Sequence, residues 1–108
     1  MKAKERLKSL YRLYKNQQKK EFKSMTDGER LDMTLQFFTL KHELSKEIDL
    51  LSDPLQSEIL YLHYICFMPL TGVSEAVGRE YAYTSKLHRK ALREYELMLN
   101  GERLSYAV

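Results

Sequence analysis

The stretch Leu70–Leu92, LTGVSEAVGREYAYTSKLHRKAL, decides how this chain is read. Leu70, Val73 and Val77 recur at steps of three and four, as on one face of a short helix. Gly78 follows directly. The residue just past a helix end often adopts the left-handed conformation, which glycine takes without steric cost. A second helical pattern runs from about Glu80 to Leu99, with Thr84, Leu87, Ala91, Tyr95 and Met98 on one stripe and Leu92 beside it. Asn100-Gly101 ends it. A short helix, a tight turn and a longer helix form the helix-turn-helix arrangement. Val73 and Val77 must then meet Leu87, Ala91 and Leu92, and the small Ser74 lets the two helices cross closely.

The opposite face of the second helix carries Tyr81, Ala82, Ser85, Lys86, Arg89 and Arg93. Five basic residues and one acidic residue lie between Arg79 and Arg93. Such a face suits the major groove of double-stranded DNA. Tyr81 to Lys86 are expected at base edges, and Arg89, Lys90 and Arg93 at phosphates, which fix register. Lys86 can donate to guanine, Ser85 to several bases, and Tyr81 or Tyr83 can meet a thymine methyl or a phosphate. His88, at the edge of this helix, is expected within reach of a phosphate.

Upstream, Asp53-Pro54 reads as an N-cap followed by proline at the first helical position, where its missing N–H costs nothing. The helix it opens should run to Pro69. Leu55, Ile59, Leu62 and Cys66 share one face and Leu60, Tyr64 and Phe67 a second, so Cys66 is expected in the core. Thr26-Asp27-Gly28-Glu29 reads as a capping box. It should start a helix over 27–51, with Phe37, Leu40, Leu44, Ile48 and Leu51 on one face. Leu31, Leu35 and Phe38 widen that face at its start. It could serve as core or as a homodimer seam, and core packing is preferred because so small a domain needs its apolar faces. Residues 3–23 read as one basic amphipathic helix with Leu7, Leu10, Tyr11, Tyr14 and Gln18 on its face. The expectation is an all-α fold of about five helices in one compact domain. Residues 1–52 form an N-terminal helical pair, 53–100 carry the helix-turn-helix, and the tail 101–108 is frayed.

Composition narrows the function classes. The chain has 108 residues, 44% of them hydrophobic and 31% charged, which is an ordinary globular balance for one domain. One cysteine excludes an intrachain disulfide and a Cys₂ or Cys₄ zinc site within one chain, and fits a reducing, cytoplasmic setting. His42, His63 and His88 show no metal-ligand spacing, and no glycine-rich phosphate loop is present. Glu43, Glu47, Asp49 and Asp53 read as a solvated helix face. No cofactor is expected, and no constellation points to an enzyme. Of the eight tyrosines, most are expected in the core, with Tyr81 and Tyr83 as exceptions. The longest apolar stretch, Ile59–Leu70, is too short to span a bilayer, so no membrane partner is expected. Charge is uneven: residues 1–24 hold nine basic and two acidic groups, whereas residues 25–53 hold three and seven. Basic ends around an acidic middle suggest a polyanionic or acidic partner.

The segment over residues 53–99 resembles region 4 of the sigma-70 family, and in particular the small sigma-like regulators of phages and prophages, the ArpU-like late-gene activators. LTGVSEAVG aligns without a gap with the family's Leu-x-x-Ile-Ala-x-x-Leu-Gly, and TSKLHRKAL with its Val-x-x-Ile-x-x-x-Ala-Leu. The resemblance implies a promoter-reading last helix with Tyr81, Ala82, Ser85 and Lys86 as base readers and Arg89 as a backbone contact. It also implies RNA polymerase as a partner in a bacterial host cell. Arg79 stands where the family has an apolar residue, Glu80 where it has a capping Ser or Thr, and Tyr81-Ala82 where an Arg-Glu pair is common. Residues 1–52 match no sigma segment, so a complete sigma factor is not expected. Two other readings fit the same pattern. One is a protein-interaction module with a sigma-like fold that inhibits a host protein such as RNA polymerase or a nuclease. The other is a small terminase subunit, which would assemble into rings.

Overall fold

The computed structural model describes residues 2–101; the tail residues 102–108, expected to fray, lie outside them. Among the described residues the fold is all-α, with six α-helices and no strand. They are α1 (Lys2–Gln17), α2 (Lys20–Ser24), α3 (Asp27–Asp49), α4 (Pro54–Leu60), α5 (Leu70–Val77) and α6 (Tyr81–Leu99). A single π-helical turn, Tyr61–Ile65, continues α4.

The sixth helix comes from a break where one continuous N-terminal helix was expected. The run Lys15–Lys20 holds no apolar side chain that packing could reward, and at Lys19 the backbone turns extended, φ −79° and ψ 155°. Gln18, expected on the buried face, sits exposed in this turn. The other boundaries follow local chemistry. Thr26 accepts from the Glu29 N–H while the Glu29 carboxylate accepts from the Thr26 N–H, completing the capping box. Asp53 accepts from the Leu55 N–H at 2.9 Å, with Pro54 next to it. Gly78 ends α5 in the left-handed region at φ 68°.

One core draws on both ends of the chain. Ala3, Leu7 and Leu10 of α1 meet Leu44 and Ile48 of α3, Leu60, Tyr64 and Ile65 around the π turn, and Ala91, Leu92, Tyr95 and Met98 of α6. A polar clamp spans it. Arg6 donates to both Glu47 oxygens, at 2.9 and 2.8 Å, and the Tyr95 hydroxyl donates to the same carboxylate. Glu47 is therefore a tertiary tie rather than part of a solvated face. The N-terminal turn of α1 is held to α6 by the Ala3 N–H, which donates to Glu96 at 3.1 Å, a carboxylate at the positive end of the helix dipole.

Two burial expectations are corrected. Leu31, Leu35 and Phe38 do not widen the core face of α3: they are 57%, 54% and 57% exposed, on a different side of the helix from Phe37 and Leu40, which pack against the core. The projection of the outer half of α3 helps explain a radius of gyration of 15.6 Å, against about 13 Å for a compact domain of this length. Cys66 is exposed rather than buried. The π turn, closed by the Cys66 N–H donating to Tyr61 O at 3.1 Å, holds one residue more than an α turn. Each later residue is thereby rotated off the face that a regular helix would give it.

Candidate nucleic-acid interface

The α5–α6 pair has the packing that a helix-turn-helix needs. Val73 and Ser74 of α5 are buried, as are Thr84, Ala91 and Leu92 of α6. Gly72 admits the loop before α5: a Cβ there would meet Met68 Cγ at 2.9 Å. Among the described residues, no protein group hydrogen-bonds the buried Thr84 Oγ1. Glu80, at the N-cap of α6, makes no side-chain cap, and the opening N–H groups of α6 keep their positive end free of a capping oxygen from that residue.

Of the eight residues expected to contact DNA, seven are exposed: Tyr81, Ala82, Tyr83, Lys86, Arg89, Lys90 and Arg93. Ser85 is half-buried, and its Oγ accepts from Arg89 Nη1 at 3.1 Å, which lays the guanidinium back along the helix. Helical geometry divides the set. Ala82, Lys86, Arg89 and Arg93 share one arc, while Tyr83 and Lys90, seven residues apart, lie on the flank toward the α5–α6 turn. Tyr83 borders a surface notch with Gly78, Arg79 and Glu80. Among the described residues no ion pair occupies Lys86, Arg89, Lys90 or Arg93. The arc thus offers three cations, Lys86, Arg89 and Arg93, with Lys90 on its flank, across from a buried stripe. This is the charge distribution that phosphate contact uses.

His88 is not part of that arc. Its Nε2 lies 2.7 Å from the Tyr64 hydroxyl and its ring 5.1 Å from that of His63. Burial pushes its pKa down to about 4, with His63, Lys4 and Arg89 adding repulsion, so the ring is neutral at pH 7. The expected phosphate contact is corrected: His88 joins α6 to the π turn. Burial likewise pushes the Tyr64 hydroxyl up to about 12. The tyrosines also depart from expectation. Tyr64 and Tyr95 are buried, whereas Tyr11, Tyr14 and Tyr61 stand exposed along with Tyr81 and Tyr83. Tyr106 lies outside the described residues.

One feature escaped sequence reasoning. A groove of about 490 Å³ lies between α1 and the segment from the π turn to Pro69, lined by Tyr11, His63, Tyr64, Phe67 and Met68 with Lys8 and Arg12 at its rim. Phe67 there takes φ 60°, a conformation uncommon for any residue but glycine and more so for an aromatic one. Lys8, Tyr11 and Arg12 were legible as a cationic, aromatic edge of α1, but nothing local marked what they would face. Among the described residues, no cluster of three or more His, Cys, Asp or Glu could hold a metal ion, and no helix is long and apolar enough to cross a membrane.

Comparison with known proteins leaves the assignment to these residues. No protein-family model matches the sequence, and neither curated proteins nor solved structures give a match.

Proposed function

We propose that the chain is a sequence-specific, duplex-DNA-binding transcription regulator of the phage or prophage type, reading promoter DNA with α6 in the manner of sigma region 4. One observation carries the reading: α6 presents Lys86, Arg89 and Arg93 on its outer arc and Lys90 on the flank, all exposed and in no ion pair among the described residues, across from the buried stripe of the same helix. Lys86 and Ala82 sit near the helix start, where a recognition helix meets base edges, and Arg89 and Arg93 follow toward the backbone.

Fluorescence polarisation with promoter-derived duplexes tests this. Replacing Lys86 and Arg89 together by Ala should weaken binding by roughly tenfold or more, since one good base contact is worth about 1–3 kcal/mol. Wild-type affinity should fall steeply with salt, with a log–log slope near −0.9 per phosphate neutralised, and the double variant should flatten that slope. Affinity indifferent to both substitutions rejects the surface.

A protein-interaction role is the second reading, and the outward stripe Leu31, Leu35 and Phe38 favours it. Titration against purified bacterial RNA polymerase separates the two. Under the second reading Leu35→Lys abolishes polymerase binding, and no duplex is bound.

A further inference from the structure

The groove beside α1 brings together features that the reading of α6 does not use. Tyr11 and Phe67 meet edge to face with centroids 5.2 Å apart, and Tyr14 packs 4.9 Å from the same Phe67 ring. Both tyrosines are exposed, so their rings border solvent rather than core. Lys4, Lys8, Tyr11 and Lys15 recur at steps of four, three and four and therefore share one strip of α1. That strip is about 16 Å long at 1.5 Å per residue. The Lys15 ammonium stands 5.8 Å from the Tyr11 ring centre. Arg12 is drawn to Glu5, but Lys4, Lys8 and Lys15 carry no ion pair among the described residues. His63 lines the groove. Its Nδ1 donates to Met68 O at 2.7 Å.

Two backbone irregularities build this hollow. The π turn carries His63 and Tyr64, and the left-handed Phe67 follows it. π turns occur often at functional sites, and left-handed non-glycine residues persist only where surrounding contacts hold them.

We propose that the groove is a subsite for single-stranded nucleic acid. An unpaired base stacks on Tyr11, whose ring Phe67 meets edge to face, and the flanking phosphates lie along Lys4, Lys8 and Lys15. Charge complementarity selects a polyanion, and the exposed residues Tyr11 and Tyr14, set among the lysines, select one that carries a planar aromatic group at every charged step. A nucleic-acid strand does so and an acidic peptide does not. The subsite adjoins α6, because the His63 and His88 rings are 5.1 Å apart, but it stands independently of duplex reading.

The test uses the full chain and a fluorescein-labelled oligothymidylate of about twelve nucleotides, within the usual site size. Tyr11→Ala should weaken binding about tenfold, the scale of one base–aromatic stack, while Tyr11→Phe keeps wild-type affinity. Lys8→Glu should weaken binding and flatten its salt dependence. Both side chains are exposed, so helicity by circular dichroism should match wild type in all three variants. Lys86→Ala with Arg89→Ala should leave oligothymidylate binding unchanged. Absence of oligothymidylate binding overturns the proposal, as does equal affinity for Tyr11→Ala and Tyr11→Phe, or equally effective competition by an oligoglutamate peptide of the same charge. Loss of duplex binding alone would strike the reading of α6 and leave this subsite standing.

Discussion

At its inner end α3 buries Leu44 and Ile48 completely and holds Glu47 between Arg6 and Tyr95. At its outer end Leu31, Leu35 and Phe38 face solvent, and the ion pair of Arg30 with Asp27 is exposed. The two stripes also lie on different sides of the helix: at ~100° per residue, Leu31, Leu35 and Phe38 point roughly 150° away from the line of Phe37, Leu40, Leu44 and Ile48, which meets the core. The neighbours come to one side only: α1, the π turn and α6 converge on the face of Leu44 and Ile48, and the side-chain amide of Gln17, at the end of α1, donates to Met33 O at 3.3 Å. The outer end relies on local devices, above all the Thr26–Glu29 capping box. A helical period therefore states which side chains share a face, and where α3 carries two apolar faces the paths of its neighbours decide which one is buried.

The strongest way to break this contrast is a matched pair of truncations. Leu44→Ala should cost about 2–5 kcal/mol of unfolding free energy in urea titration. Leu35→Ala should stay within about 0.5 kcal/mol, as exposed substitutions do. Equal losses would mean that the outer stripe is covered in solution, and a midpoint that rises with protein concentration would identify a second copy as the cover.

A smaller effect compares the two polar ties. Glu47→Gln removes the charge that Arg6 and Tyr95 both address and should cost roughly 1–3 kcal/mol, the range for a hydrogen bond to a charged group. Asp27→Asn at the outer end should leave the urea midpoint where it is, because an exposed pair contributes little.

A further contrast lies on the acid side. Burial alone would raise the Glu47 pKa, but the hydrogen bonds from Arg6 and Tyr95 and the Arg6 charge outweigh it, and the net shift is downward. A depressed carboxylate stabilises the fold above its unfolded value, about 4.3, and that share is lost as pH falls through the folded value. His88 acts earlier. Held neutral with its pKa near 4, it stabilises above the unfolded histidine value of about 6.5, and its share is lost between there and about 4. Urea titrations from pH 7 downward should show both limbs in the wild type, and only the histidine limb in Glu47→Gln.

The parts of the fold written in short range were legible in the sequence. The capping box at Thr26, the Asp53-Pro54 start and the left-handed Gly78 each depend on neighbours within a few positions, and each is present. The exposed arc of α6 also follows from period alone. What escaped depends on distant partners. His88 turns inward because Tyr64, twenty-four positions earlier, meets it. Glu47 is claimed by Arg6 and Tyr95 from opposite ends of the chain. The break at Lys19 could have been suspected from its run of polar residues, but the added residue at Tyr61–Ile65 leaves no mark in an apolar pattern that reads equally well as regular helix.

That added residue works as a phase shifter. Removing any one of the five from Tyr61 to Ile65 would let the helix close with ordinary pitch and turn everything behind it by ~100° about the axis. Phe67 would swing away from Tyr11, and the loop to Pro69 would have to find another route to α5. A chain one codon shorter could keep all its helices and still lose the cleft, so the spacing here constrains length as much as residue type.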